Sequence, residues 1–393
     1  MSSFEQLKIQ PAIAEIIDSS DFSEMAQGLI EEEKNIPVVV GVDQSIRPKV
    51  LDACGMSCTF CHNEGTPVAA AKINLGIPNL RYKGGRVSVF ETRNGVDFLP
   101  GTMLPDREFE FAVGGIKAAL GSSEMHLTGG EPTLHPSLPG LIEIASRLGY
   151  TVGMTSNGEN GEKVLPDCAD KGLSKVNFSI FGTTAEELAS VQNEKFRSEK
   201  LAQTKMVALD RSIRTALEVG LKVSANIVMS DPTHAERVQR VIEQYAGAGV
   251  SVRILNDLDN NPISNASIYE LLAGIGAVPQ DLTVEAGSSN SRVRYLLPDG
   301  TEIYFKQIRR TTLPETCKDC TINNDDDCKE GYYGVRLYVD QDKNYKVGVC
   351  LQRMDLTAPL QEFVSGGVSK EIVEFRNNEY NALTDYYKER MDG

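Results

Sequence analysis

Residues 51–65 read LDACGMSCTFCHNEG and place Cys54, Cys58 and Cys61 within eight residues. An odd number of crowded thiols suits no set of disulfides. A tetrahedral zinc site wants a fourth ligand, and His62, adjacent to Cys61, is poorly placed to chelate beside it. Three thiolates on one short loop suit a cuboidal iron–sulfur cluster, in which each takes one corner and one iron stays open. A second group, Cys317-x2-Cys320-x7-Cys328 followed by Cys350, offers four thiols. Four thiols serve either a structural zinc or a second cluster. Cys168 lies in the helical pattern EKVLPDCADKGL and reads as a small core residue. His126 and His135 bracket the run LTGGEPTLHP and are not expected to be ligands.

The elements that must carry these groups alternate. Strand-like runs SEMHLTGG, GYTVGMTSNG, SKVNFSIFG, LKVSANIVM and VSVRILNDL follow a first apolar run, PKVLDACG, that ends at the first cysteine. Helical patterns separate them, including REFEFAVGGIKAAL, SLPGLIEIASRLG, AEELASVQNEKF, SEKLAQTKMVALDRSIRTALEVG and HAERVQRVIEQYAGAG. Six such alternations predict parallel βα units with buried strands. Most strand runs end in glycine or small polar residues, as loops at the carboxyl ends of barrel strands do. The glycine-rich run NLRYKGGRVSVFETRNGVDF reads as an inserted hairpin, either a lid or a plain surface excursion. After Leu258 the pattern changes to a helix at SIYELLAGIG and a hairpin, RVRYLLPDGTEIYFKQI, turning at Asp299–Gly300. Three segments are expected: a helical N-terminal extension over 1–45, the βα repeat over 46–262 and a C-terminal domain over 263–393.

Composition bounds the function. The chain has 393 residues, 41% of them apolar, and a formal net charge of −15. No broad basic surface is available for nucleic acid, and no run has the length of a membrane helix. The start, MSSFEQLKIQPAIAEII, lacks a basic segment followed by a continuous apolar stretch, so a cytoplasmic protein is expected. Eight cysteines in a reducing compartment argue for metal sites rather than disulfides. A small molecule is the expected substrate.

The spacing C-x3-C-x2-C, with Phe60 just before the third cysteine, resembles the radical S-adenosylmethionine (SAM) superfamily. Gly129-Gly130-Glu131-Pro132 resembles that superfamily's element at the end of the second strand. TSNG, VNFSIFG, ANIVM and VRILNDL are similar to the ends of strands three to six, in order. The resemblance implies an α/β fold, a partial (βα)6 TIM-type barrel, with a small α+β C-terminal auxiliary iron–sulfur domain. It implies a 4Fe–4S cluster on Cys54, Cys58 and Cys61, whose open iron is chelated by the amino and carboxylate groups of SAM. A reduced cluster then cleaves SAM to methionine and a 5′-deoxyadenosyl radical, which takes a hydrogen atom from substrate. Gly129 and Gly130 would let backbone approach the methionine end of SAM, and Glu131 would hold its ammonium. Asn157, Ser179 and Asn226 would contact ribose or carboxylate, Phe60 would lie beside the adenine, and Arg253 would contact SAM or substrate. An electron donor such as flavodoxin or ferredoxin is implied as partner.

The C-terminal half resembles that of the molybdenum-cofactor GTP 3′,8-cyclases at Arg336-Leu337, Asp340 and Cys350-Leu351. It departs from them in offering a fourth thiol, in Gly334 where a second arginine is expected, and in its ending, YYKERMDG. Cys317, Cys320, Cys328 and Cys350 would therefore hold a fully ligated auxiliary 4Fe–4S cluster, as in SPASM or twitch extensions. Arg309 and Arg310 precede this group as either an anion site or a solvated pair. The expected enzyme acts on a nucleotide- or sugar-like molecule, by cyclisation or rearrangement or by dehydrogenation or epimerisation. A peptide-modifying maturase and a zinc-stabilised binding module without catalysis are the alternatives.

Overall fold

A computed structural model describes residues 10–58, 61, 68–69, 86–87, 101–325, 327–351, 353 and 356–391. In chain order its strands are β1 (Val38–Val42), β2 (Ser45–Pro48), β3 (Val68–Ala69), β4 (Arg86–Val87), β5 (Glu124–Leu127), β6 (Thr151–Ser156) and β7 (Leu173–Ser179). They continue as β8 (Lys222–Met229), β9 (Val250–Asn256), β10 (Val278–Ala286), β11 (Asn290–Leu296), β12 (Glu302–Ile308), β13 (Val335–Val339), β14 (Tyr345–Gly348) and β15 (Ala358–Pro359). The six strands of the expected repeat are β2, β5, β6, β7, β8 and β9. The chain is α/β, a partial (βα)6 TIM-type barrel followed by an α+β C-terminal region.

Two compact units are assembled from discontinuous stretches, one from Gln44–Ser224 with Val335–Gly366, the other from the remainder. The division falls within β8. Neither unit coincides with a segment expected from the sequence, because β1 and the C-terminal helix belong with the β10–β12 meander.

In the first unit the strand order is β7-β6-β5-β2-β13-β14-β15. β2, β5, β6 and β7 are parallel, with Met125 opposite Val152 and Met154 opposite Val176. Val152, Gly153 and Met154 are successively buried, as expected for a parallel strand covered on both faces. The helix Arg107–Leu120 starts where the Asp106 side chain accepts the Phe109 N–H at 2.9 Å. It ends at Gly121 in the left-handed region, φ 65°, which glycine adopts without a Cβ penalty. Its Phe109, Ala112, Val113, Ile116 and Leu120 form one buried stripe.

In the second unit the order is β1-β10-β11-β12-β9. The hairpin β11–β12 turns at Asp299–Gly300 as expected, with Gly300 at φ 86°. Within the N-terminal extension, helical segments are expected over 12–17 and 22–33. Helices Ile13–Ile16 and Glu24–Glu33 are present, but VVVGV forms β1, parallel to β10. A run of β-branched residues suits a pleated surface better than a helix. Glu33 is buried, and its carboxylate accepts hydrogen bonds from the Tyr269 hydroxyl at 3.1 Å, Gln307 Nε2 at 2.9 Å and the Tyr295 hydroxyl.

The segment AEELASVQNEKF, expected to be one helix, is divided. A capping box at Thr184 and Glu187 starts the helix Ala185–Ser190, and a separate turn of 3₁₀-helix covers Glu194–Phe196. Gln192 and Asn193 lie between the two and bond elsewhere. The inserted hairpin expected within 79–98 lies largely outside the described residues; Arg86–Val87 pairs antiparallel with Val68–Ala69.

Candidate functional site

Strand β2 ends at Pro48, where the apolar run PKVLDACG begins; past an isolated bridge from Lys49 to Thr128 that run is irregular backbone toward Cys54 rather than the expected strand. The glycine–glutamate run lies directly against it. The Gly130 N–H donates to Leu51 O at 2.9 Å and the Glu131 N–H to Ala53 O at 2.8 Å. Gly129 has φ 145°, and a Cβ there would lie 2.5 Å from Leu51 O; one on Gly130 would lie 2.2 Å from Ala53 O. The two glycines are therefore required by this backbone contact. Asp52 holds the far side, accepting the Gly101 N–H at 2.8 Å and pairing with the buried Lys49.

Glu131 is 1% exposed. Its Oε1 accepts the Thr133 N–H at 3.0 Å, the Thr133 hydroxyl at 2.7 Å and the Ser156 hydroxyl at 2.7 Å. Its Oε2 accepts the Asn157 N–H at 2.5 Å. Burial raises its pKa, and these bonds oppose the rise. The carboxylate thus ties the loop after β5 to the end of β6. Among the described residues Oε1 thus accepts three hydrogen bonds and Oε2 one.

Cys54, Cys58 and Cys61 pack against one apolar cluster that includes Met56, Leu188, Ala189 and Ala202. Cys54 Sγ accepts Asn157 Nδ2–H at 3.5 Å and the Met56 N–H at 3.4 Å. Cys58 Sγ accepts Gln192 Nε2–H at 3.3 Å. The same Gln192 accepts the Ser57 N–H on Oε1 at 2.8 Å, and Asn193 Nδ2 donates to Ser57 O and Oγ at 3.0 and 2.9 Å. Glu159 accepts the Gly55 N–H at 2.9 Å and pairs with Lys205.

Burial pushes the Cys58 thiol up to about 12, with Gln192 opposing the shift and Cys54 adding to it. Neighbouring thiolates on an apolar surface are unfavourable unless a strong local positive charge compensates them, which is what bound iron supplies. The donor set therefore fits an iron–sulfur cluster: three sulfurs, a dry wall and N–H donors aimed at two of them. Among the described residues no three His, Cys, Asp or Glu side chains converge as ligands of a single ion.

Phe60 lies outside the described residues. Ser179 ends β7 and is half-buried. In the second unit, Asn226 on β8 carries a buried Oδ1 that accepts no hydrogen bond from the described residues. Arg253 on β9 is in register with Tyr304. Burial and the neighbouring Arg292 lower its pKa to about 10, and Tyr304, Tyr333 and Glu285 oppose the shift.

Cys317, Cys320 and Cys328 belong to the second unit and Cys350 to the first. Glu371 holds the turn before Cys317, accepting the Glu315 and Thr316 N–H groups at 2.7 and 3.0 Å. Arg310 binds Asp325 at 3.0 Å and Asn323 at 2.5 Å. Burial raises the pKa of the Cys328 thiol and Arg310 opposes that rise. Arg309 is neither solvated nor an anion site: it forms a buried ion pair with Glu379 at 2.7 Å. Cys168 is a core residue, as expected.

Sequence reasoning missed Gln192, Asn193, Glu159 and the Lys49–Asp52 pair. The last had a signal, a lysine inside an apolar run. The others are polar residues in loops, and nothing in their spacing distinguishes them.

The family model of the radical SAM superfamily matches residues 49–245. The chain is 26% identical over 212 residues to the GTP 3′,8-cyclase of Chlorobaculum tepidum, covering 53% of this chain and 52% of that enzyme. It is 27% identical over 324 residues to a probable GTP 3′,8-cyclase of Metallosphaera sedula, covering 79% and 82%. Among solved structures, Streptococcus suis SuiB bound to S-adenosylmethionine matches at 12% identity and a TM-score of 0.47, covering 91% of this chain and 71% of that one. Half of the chain, from Lys49 through all three cysteines of the first loop to Tyr245, thus matches one family model, and the chain belongs to the radical SAM superfamily.

Proposed function

We propose that Cys54, Cys58 and Cys61 hold the 4Fe–4S cluster that binds SAM, and that the substrate is a small polar, nucleotide- or sugar-like molecule. The observation that carries the first part is that the three cysteines of one loop pack against one apolar wall, with amide donors on two of their sulfurs. When bound, the reduced cluster and SAM together supply a 5′-deoxyadenosyl radical that removes hydrogen from substrate. The protein's own work is to hold and exclude water. Gly129 and Gly130 bring the loop after β5 against the cysteine loop, and Glu131 is the proposed partner of the SAM ammonium. Phe60, Asn157, Ser179, Asn226 and Arg253 are proposed contacts of SAM or substrate from their places in the motif order. The orphaned Oδ1 of Asn226 supports this for that residue.

Cys317, Cys320, Cys328 and Cys350 are proposed ligands of an auxiliary 4Fe–4S cluster in a C-terminal functional part, residues 263–393. The similarity to a probable GTP 3′,8-cyclase over most of both chains supports cyclisation or rearrangement. The fourth thiol supports a redox outcome instead, since a fully ligated cluster leaves no iron for substrate. A cytoplasmic site with flavodoxin or ferredoxin as donor suits the reducing chemistry.

Iron content and SAM cleavage test the reading. Reconstituted protein should carry about eight irons per chain if both clusters form. Replacing Cys54, Cys58 and Cys61 with Ala should leave about four and abolish cleavage. Cleavage by that triple variant would overturn the assignment.

A further inference from the structure

We infer that Gln192 and Asn157 are positioning residues for the SAM-binding cluster, each donating a side-chain N–H to one thiolate and together setting the cluster's reduction potential. This rests on the proposed cluster at Cys54, Cys58 and Cys61.

The orientation of both amides follows from an obligatory donor. Gln192 Oε1 receives the Ser57 backbone N–H at 2.8 Å. A backbone N–H only donates, so oxygen must face Ser57 and the NH2 must face Cys58 Sγ, 3.3 Å away. Asn157 repeats the arrangement. Its Oδ1 receives the Glu159 N–H at 2.9 Å, which turns its NH2 toward Cys54 Sγ at 3.5 Å. Neither amide can flip without setting two N–H groups against each other.

Both amides are buried, with Gln192 5% and Asn157 8% exposed; Cys58 is buried too and Cys54 half-buried, so water competes least for the Gln192 bond, which is electrostatically the stronger for it. An N–H donor stabilises the more negative, reduced cluster over the oxidised one, raising the potential. The two donors thus ease entry of one electron from a low-potential carrier. They also weaken the cluster as a reductant of the SAM sulfonium. The interrupted helix after Ser190 is what releases Gln192 for this contact.

The test is a potentiometric titration of reconstituted holoenzyme, following by electron paramagnetic resonance the cluster signal that changes on adding SAM. Gln192→Glu keeps the size and the acceptor for Ser57 but puts a carboxylate oxygen against the sulfur. The equilibrium constant for one-electron reduction should fall at least about tenfold, a lowering of about 59 mV. Asn193→Ala loosens the grip on Ser57 without removing an N–H from sulfur, and should leave the potential at the wild-type value. If Gln192→Glu takes up no iron, Gln192→Leu, which removes the donor without adding charge, is read instead with the same expected direction. An unchanged potential in the loaded Gln192 variant, or an equal shift in Asn193→Ala, overturns the inference. Wild-type protein without a SAM-responsive cluster would overturn the proposed function first, and this inference with it.

Discussion

The two cysteine regions are held by different means. On the loop at 54–61 the groups that reach sulfur are neutral, Asn157 at Cys54 and Gln192 at Cys58, while the Glu159–Lys205 pair holds the Gly55 N–H. In the region at 317–328 a charged group reaches sulfur, Arg310 at Cys328, and Glu371 holds the backbone at its start. A neutral amide adds no net charge in a dry site, whereas a guanidinium or carboxylate is tolerated where solvent remains near. The first arrangement suits a centre whose electron must be delivered at one potential. The second suits a centre whose main requirement is to stay in place.

The largest test of that contrast exchanges which cysteines are lost. Replacing Cys54, Cys58 and Cys61 with Ala should abolish SAM cleavage. Replacing Cys317, Cys320 and Cys328 should leave substrate-free cleavage measurable and remove product formation, both followed by chromatography of 5′-deoxyadenosine. If the second triple variant also lost cleavage, the two regions would not be separable in function.

Next comes Glu131→Gln. Hydrogen bonds to charged groups contribute roughly 1.5–3 kcal/mol, so SAM affinity by calorimetry should fall on the order of ten- to a hundred-fold. The amide also sets an NH2 against one of its donors, Ser156, Thr133 or the Asn157 N–H, so the loop should loosen. Full SAM affinity would confine Glu131 to the structural role.

A smaller effect is expected from Gly130→Ala, whose Cβ would meet Ala53 O at 2.2 Å. Overpacking of this kind costs about 1–3 kcal/mol, read as a lower melting temperature with reduced iron uptake. An unchanged melting temperature would mean that the two backbones part easily.

The smallest signal is spectroscopic. Cys328→Ala should perturb the auxiliary cluster's spectrum, and substrate added to the wild type should not. A substrate-induced change in the wild type would restore the vacancy expected of a cyclase and remove Cys328 from the ligand set.

The residues legible in the sequence are those whose chemistry dictates type and spacing. Cys54, Cys58 and Cys61, and Gly129-Gly130-Glu131, belong to this class, as does the βα alternation that carries them. The glycines were legible for an incomplete reason: they were expected to admit SAM, and what they admit here is the backbone of Leu51 and Ala53. Gln192 was hidden because Ala185–Phe196 has a good helical pattern, and its bond to Cys58 spans 134 positions. Arg309 was misread for the same reason, since its partner Glu379 lies 70 positions on. Local pattern reports local hydrogen bonding, and long-range pairs override it.

Between Cys61 and Gly101 lie thirty-nine residues, and both ends of that span are moored. Ser57 and Cys58 are tied to Gln192 and Asn193, while Gly101 is tied to Asp52 and Met103 donates to Val50 O at 2.9 Å. For a span between fixed ends, each doubling of length adds about 0.6 kcal/mol of closure entropy. The closure cost of that length is therefore small beside the hydrogen bonds that moor the chain on either side of it.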